Sequence, residues 1–116
     1  MPTQDKCCSI VPYFKVASGK LQEFKELCEQ FVARTSGETK CLYYGFCFDG
    51  DQAHCREGYA DAAGLLTHLD NVGALLAEAL KIADVVRLEV HGPAGELEKL
   101  KAPLAHLKPA WFEVGP

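Results

Sequence analysis

Apolar and polar positions change their spacing several times along the chain, and each change predicts a new element. Residues 8–16 are rich in β-forming side chains and predict a strand, in which Pro12 indicates an edge or a bulge because proline cannot donate to a ladder. Over residues 21–31 the apolar positions recur at helical spacing, with charged side chains on the other face. We therefore expect a helix with Ser18 as its N-cap and an end near residues 36–37.

The middle of the chain predicts a hairpin followed by a second helical region. Residues 39–48 and 53–60 are strand-like, and an Asp-Gly-Asp turn joins them directly. Asp61 is placed to cap a helical segment through Leu69. We expect the Asp-Asn pair after that leucine to interrupt the helix, with Asn71 capping a continuation.

The last part of the chain predicts a fourth strand and a tail. Residues 84–91 are strand-like, and a Gly-Pro pair then ends the strand. Pro93 suits the first turn of a short helix that carries two leucines. Prolines bracket residues 103–109, which predicts a loop, and residues 110–114 predict a last short strand.

The order β-α-β-β-α-β is that of an α+β, ferredoxin-like fold. We expect a single domain over residues 1–116, with a core of residues 8–91 and a C-terminal helix and strand extension over residues 92–116. Helices in this fold cover only one face of the sheet, yet the second strand is apolar on both. One face carries Cys41, Tyr43 and Cys47, and the other carries Leu42, Tyr44, Phe46 and Phe48. A second copy of the sheet is the simplest cover for the free face, which predicts a homodimer.

Composition and charge restrict the partners. The 116 residues carry a formal net charge of −4 and no run of Lys and Arg, which argues against a nucleic-acid or anionic-membrane partner. Nowhere is there an apolar run of about 18 residues that spans a bilayer. The polar N-terminal stretch lacks the apolar segment of a signal peptide, so we expect a cytoplasmic protein.

The metal-ligating residue types show no metal-site spacing. Six cysteines include no C-x-x-C pair, and four of them fall in apolar segments where thiols pack as small hydrophobes. The four histidines form no H-x-x-H or H-E-x-x-H motif. We therefore expect neither a metal nor another cofactor, although Cys41 and Cys47 share a predicted strand face and can line a ligand site together.

Residues 56–69, Arg-Glu-Gly-Tyr-Ala-Asp-Ala-Ala-Gly-Leu-Leu-Thr-His-Leu, resemble the signature of the antibiotic biosynthesis monooxygenase (ABM) superfamily. In that signature a strand with a Glu and an aromatic residue runs into a helix with small residues and a His near its end. The resemblance covers residues 8–91 and implies a dimeric α+β barrel that binds a small apolar or aromatic molecule.

The resemblance also implies alternative functions. One branch of the superfamily oxidises phenols or quinols with dioxygen and no cofactor, using Asn, Trp and Tyr around the substrate. The haem-degrading branch uses an Asn, a Trp and an axial His, for which His68 or His54 is available here. The single tryptophan, Trp111, lies in the tail, away from the position that either branch requires. A non-catalytic ligand-binding or structural dimer of the same fold is the remaining alternative.

Glu57 and His68 are the candidate catalytic residues. Glu57 lies on the third strand and His68 on the following helix, so the crossover can bring them together. A carboxylate beside an imidazole is expected to raise the pKa of the histidine and to create a general base. Alternatively, the pair only fixes the helix to the sheet by a hydrogen bond.

Four further residues are candidates for substrate binding. A phenolic oxygen in an apolar cavity needs hydrogen-bonding partners, and tyrosines supply them. The alternative is that these tyrosines are core aromatics whose hydroxyls reach the surface or the backbone. The candidates are Tyr13, Tyr44, Tyr59 and Asn71.

Overall fold

The computed structural model describes residues 4–116, so the first three residues of the polar N-terminal stretch lie outside the described residues. The strands are β1 (Ser9–Val16), β2 (Cys41–Asp49), β3 (Gln52–Tyr59), β4 (Ala83–Gly92) and β5 (Ala110–Glu113). The helices are α1 (Leu21–Thr35), α2 (Ala62–Ala79) and α3 (Ala94–Leu104), followed by a 3₁₀ turn at Ala105–Leu107. The predicted order β-α-β-β-α-β with a helix and strand extension is confirmed.

The five strands form one sheet in the order β2-β3-β1-β4-β5. β1 is antiparallel to both of its neighbours, whereas β5 is parallel to β4. Pro12 therefore lies on the central strand, and the expected edge position is wrong. The expected bulge is present, since the register between β1 and β4 shifts between Tyr13 and Phe14.

The ladder between β1 and β3 opens next to this proline. Cys8 pairs with Tyr59, and Tyr13 pairs with His54, but between these two pairs β1 and β3 are not paired. Within the gap the Ser9 hydroxyl donates to the Glu57 carbonyl oxygen at 2.6 Å and supplies a bond that the backbone does not. The gap brings Glu57 beside Ile10 and Pro12 on the helix side of the sheet.

Of the three predicted helix caps, Ser18, Asp61 and Asn71, only Asp61 caps a helix. Asp61 caps α2, because its Oδ1 accepts from the Gly64 amide at 2.8 Å. Ser18 does not cap α1; Lys20 holds that position without a side-chain hydrogen bond. The expected break at residues 70–71 is also wrong, since α2 is continuous and Asn71 bonds to the neighbouring α1–β2 segment instead.

The extension is part of the sheet and of the core. Leu97, Leu100 and Leu104 of α3 are all buried and pack with Tyr59 and Leu65. α3 runs through Pro103, where a loop was expected; proline cannot donate a bond to the Lys99 carbonyl, and the α-helix ends one residue later and gives way to the 3₁₀ turn. A second buried cluster lies between α1, α2 and the sheet, around Phe14, Phe24 and Phe31.

A bulge in β2 changes one predicted strand face. The register with β3 shifts between Cys41 and Tyr43, so the alternation of side chains does not continue through this point. Cys41 packs against the helix-side cluster, whereas Tyr43 lies against Gly58. The expectation that Cys41 and Cys47 share a face is therefore wrong.

Candidate functional site

A cavity of about 390 Å³ lies between the sheet and the helices. Its volume is within the range of small-molecule sites, and its wall is almost wholly apolar. α2 with its C-cap residue and β4 supply most of the aliphatic part of the wall, namely Leu69, Val72, Leu76, Leu80, Val85 and Leu88. The aromatic part consists of Phe14, Phe31, Tyr44 and Phe46.

Glu57 is the acidic group of the cavity wall and is only 3% exposed. Burial raises its pKa to about 7, because a charged carboxylate loses its hydration in this environment. Hydrogen bonds from Tyr59 and Cys55 oppose the shift, and the nearby Glu38 charge adds to it. At neutral pH the group therefore exists in both its acid and its base form, which suits proton transfer in either direction.

His68 connects Glu57 to a second carboxylate. Its Nε2 lies 3.4 Å from Glu57 Oε1, and its Nδ1 lies 2.9 Å from Glu38 Oε2. Asn71 donates to the same Glu38 oxygen at 2.8 Å. With the Glu38 carboxylate as acceptor, Nδ1 carries the proton and the bare Nε2 faces Glu57. The predicted proximity of Glu57 and His68 is thus present.

The predicted rise in the pKa of His68 is wrong. Burial lowers this pKa below its usual 6.5, and it outweighs the opposing hydrogen bond and charge of Glu38. The imidazole is only 2% exposed, so water does not solvate its charged form. Because the pKa of Glu57 is raised to about 7 and that of His68 is lowered below 6.5, their charged forms do not predominate at the same pH, so their contact is polar and is not an ion pair.

Two tyrosines flank this pair. The Tyr59 hydroxyl donates to Glu57 Oε1 at 2.6 Å, and its ring lies 5.1 Å from that of His68. Tyr44 lines the cavity with its ring centroid 5.1 Å from that of His68. Burial raises the pKa of both phenols well above 10, so each remains a hydrogen-bond donor and does not act as a base. Because the contacts of Tyr59 and His68 both reach Oε1, they leave Glu57 Oε2 free of these bonds.

The remaining sequence candidates lie elsewhere. The Tyr13 ring lies 5.3 Å from that of His54 and lines a separate recess with Cys47 and Phe48, not the cavity of Glu57. Asn71 does not line the cavity and is linked to it through Glu38, which bonds to His68.

Three contributors were missed at the sequence level. Glu38 precedes β2 in a connecting segment with no periodic pattern, and its Oε1 is buried without a hydrogen-bond partner. His106 and Leu107, in the 3₁₀ turn, line the cavity from the extension. No local signal identifies such residues, because the tertiary fold alone brings them to the site.

Within residues 4–116 no group of three or more His, Cys, Asp or Glu side chains is arranged to hold a metal ion. No helix in the same part of the chain is long and apolar enough to cross a membrane.

The crystal structure of MupZ from Pseudomonas fluorescens is 50% identical in sequence to this chain and superposes on it with a TM-score of 0.93. The match covers 97% of this chain and 93% of MupZ. The chain belongs to the MupZ family. The shared length includes the extension, so the MupZ-family chain described here has its α3, 3₁₀ turn and β5 in common with that relative.

More distant structures show the fold. A candidate antibiotic biosynthesis monooxygenase from Caulobacter crescentus is 22% identical with a TM-score of 0.67, over 73% of this chain and 87% of its own. A conserved protein from Methanosarcina mazei is 20% identical with a TM-score of 0.69, over 75% and 92%. The MupZ-family chain therefore has the ABM fold, as the resemblance of residues 56–69 implied. No protein-family model and no curated protein sequence matches it.

Proposed function

We propose that this protein is a cofactor-independent acid–base enzyme that acts on a small, largely apolar molecule. The observation that carries the proposal is Glu57, a buried carboxyl group in the cavity wall whose pKa is raised to about 7. A group with a pKa near the working pH can both accept and deliver a proton, and burial strengthens its interactions with the substrate.

The neighbours of Glu57 have distinct roles in this proposal. Glu57 exchanges the proton with the substrate through Oε2, the oxygen that Tyr59 and His68 leave free. His68 is a positioning residue: Glu38 fixes its tautomer, and its bare Nε2 lies 3.4 Å from Glu57 Oε1, which leaves Oε2 to carry the exchanged proton. The Tyr44 hydroxyl stays protonated because burial raises its pKa, and in this proposal it turns from its contacts with Cys55 and Thr35 to bind a substrate oxygen.

A probe that opens when a base removes a ring proton, such as a benzisoxazole, tests the proposal. We expect its opening rate to rise with pH with a midpoint near pH 7, as Glu57 ionises. Glu57→Gln should lower the rate by about 10²–10⁴-fold, the usual contribution of a general base. Tyr13→Phe is the matched control, since Tyr13 lies outside the cavity. Equal rates in the parent protein and Glu57→Gln would refute the proposal and favour a binding protein without catalysis.

A second candidate is oxidation of a phenol or quinol by dioxygen without a cofactor. It is supported by the aromatic residues next to Glu57, namely Tyr44 and Phe46, and by the ABM fold. Glu57 would then remove the phenolic proton, and the electron-rich phenolate would reduce dioxygen. Oxygen uptake with a panel of hydroquinones, lost in Glu57→Gln, is the result that this candidate requires. The haem-binding alternative requires a Soret band on addition of haem that disappears in His68→Ala.

We also propose that a second copy of the chain covers the open face of the sheet. All three helices pack on the other face, whereas Tyr43 and Phe112 remain 48% and 46% exposed on the two outer strands. Between them, the side chains of Arg87, Glu89 and His91 bond to one another, so the face carries little unpaired charge. A two-fold pair of sheets would remove this apolar surface from water.

The thiols favour a reducing compartment, and we propose the cytoplasm. All six cysteines are unpaired, and burial raises the pKa of Cys8 to about 11 and that of Cys28 to about 12. Such thiols pack in the core and do not react readily. The proposal requires that a reductant leave the unfolding midpoint unchanged.

A further inference from the structure

The cavity has two chemically different ends. One side of the cavity wall runs along α2 from His68 to Leu80. Leu80 is 12 residues after His68, so this side is about 18 Å long. The polar groups, Glu57 and His68, lie where this line begins. Beyond them α2 and the facing strand β4 present aliphatic side chains as far as Leu80 and Val85.

The C-terminal extension forms the far end of the cavity. β5 begins at Ala110 opposite Glu89 and runs parallel to β4, so the residues before it lie beside the N-terminal half of β4. Leu107 and His106 belong to those residues and line the cavity there. β4 pairs Val90 with Ile10, beside Glu57, and Val85 with Phe14, which places the extension and the carboxyl group at opposite ends of the wall.

The extension also distinguishes this chain from most of its structural relatives. The ABM-fold structures under 25% identical cover only 72–77% of the chain, although they match 87–96% of their own length. The uncovered part is close in size to residues 92–116. MupZ, in contrast, covers 97%. Leu107 belongs to a segment whose length corresponds to the uncovered share of the chain.

We infer that the ligand is a molecule with an oxygen-bearing group at Glu57 and a saturated carbon chain that runs along α2, and that Leu107 limits the length of that chain. The inference rests on the proposed function for the identity of the polar end. Phe14 and Phe46 on the strands and Phe31 on α1 form the aromatic side of the wall, whereas the side that α2 and β4 form between Leu76 and Val85 is aliphatic. Leu107 and His106 border that side at its far end. A flexible chain can follow such a wall, and each methylene that it buries strengthens binding.

Straight-chain primary alcohols from butanol to decanol are suitable probes, with affinity measured by titration calorimetry. We expect the affinity to increase by about fourfold for each added methylene, until the chain reaches the extension. Leu107→Trp should weaken decanol binding by about tenfold, the effect of excluding one to two methylenes, and should leave butanol binding within about twofold. Val32→Trp is the matched control, because Val32 is an exposed apolar residue of α1 that does not line the cavity.

Two results would overturn the inference. The first is that Leu107→Trp binds decanol as tightly as Val32→Trp and the parent protein do. The other is a bicyclic aromatic alcohol of the same carbon number, 1-naphthol, that binds more tightly than decanol. Leu107→Ala serves as a second variant, since it should extend the range of chain lengths and does not add bulk. Every readout of this experiment is a binding affinity. A negative result would therefore reject the inferred chain site and would say nothing about whether Glu57→Gln reduces proton transfer.

Discussion

Glu57 links the chemistry of the site to the stability of the protein. Its pKa is about 7 in the folded chain and near 4.5 when it is exposed, because burial penalises the charged form. Between these two values the folded state binds more protons than the unfolded state, so this group makes the free energy of unfolding fall as pH rises. The decrease amounts to about 3 kcal/mol and is complete above pH 7.

Glu57→Gln should therefore stabilise the protein at pH 8 by about 1–3 kcal/mol and should have little effect at pH 4. Urea unfolding of both proteins at the two pH values measures the difference. His68 has the opposite pH dependence, since its lowered pKa removes stability as pH falls below 6.5. It is present in both proteins, so the comparison isolates Glu57. If Glu57→Gln is less stable than the parent protein at pH 8, the Glu57 carboxylate is better solvated than its burial indicates.

The charge of Glu38 should be detectable at His68. Glu38→Gln keeps an oxygen that accepts from Nδ1 but removes the charge that favours the imidazolium, so the pKa of His68 should fall further. Nitrogen-15 NMR of the imidazole ring reports both the tautomer and the titration midpoint. We expect an Nδ1–H tautomer in both proteins and a lower midpoint in the variant. A midpoint above 6.5 in the parent protein would contradict the dominance of burial.

At the scale of elements, periodicity and caps predicted most of the fold. The helical spacing of residues 21–31 and the Asp-Gly turn after Phe48 were sufficient for α1 and the hairpin. The errors arose where polar residues have tertiary partners. Asn71 has the sequence of a cap, but its amide is used by Glu38 and the Arg34 carbonyl. The Glu57–His68 pair followed from the crossover, whereas Glu38 and Leu107 reach the site only through long-range packing.

Two of the three predicted N-caps, Asp61 and Ser18, make a matched test. Asp61→Ala should lower the free energy of unfolding by about 1 kcal/mol, since the Gly64 amide loses its acceptor and the ion pair with Lys40 is lost at the surface. Ser18→Ala should change it by less than about 0.5 kcal/mol, because Ser18 does not cap α1. Chemical denaturation measures both. Equal losses would mean that Ser18 caps the helix in solution.

The extension should behave as part of the core and not as an appendage. Leu100 is completely buried in the cluster around Tyr59, so Leu100→Ala should lower the free energy of unfolding by about 2–5 kcal/mol. Leu107→Ala, at a side chain that is 40% exposed, should have a much smaller effect. Thermal or urea unfolding separates the two. A small loss for Leu100→Ala would mean that α3 detaches without unfolding the sheet.

At the scale of the whole molecule, the open sheet face predicts a two-fold assembly. Light scattering at micromolar concentration should give about 25 kDa, twice the 12.7 kDa of one chain. Tyr43→Asp should shift the mass towards the monomer, because a charge on this face opposes burial. Val32→Asp is the control, since it adds the same charge to an exposed apolar position on α1. A parent protein that remains at 12.7 kDa would exclude the dimer.

The position of β1 in the middle of the sheet has a consequence for folding. During synthesis β1 emerges before β3 and β4, the two strands between which it lies. Its edge towards β3 stays unpaired until the chain has been made as far as Tyr59, and its edge towards β4 until Gly92. The contacts within α1 and the β2–β3 hairpin are local and do not depend on β1. Contacts of long sequence separation slow folding, and unpaired strand edges favour aggregation. We therefore expect docking of β1 to be the late step that completes both the sheet and the cavity.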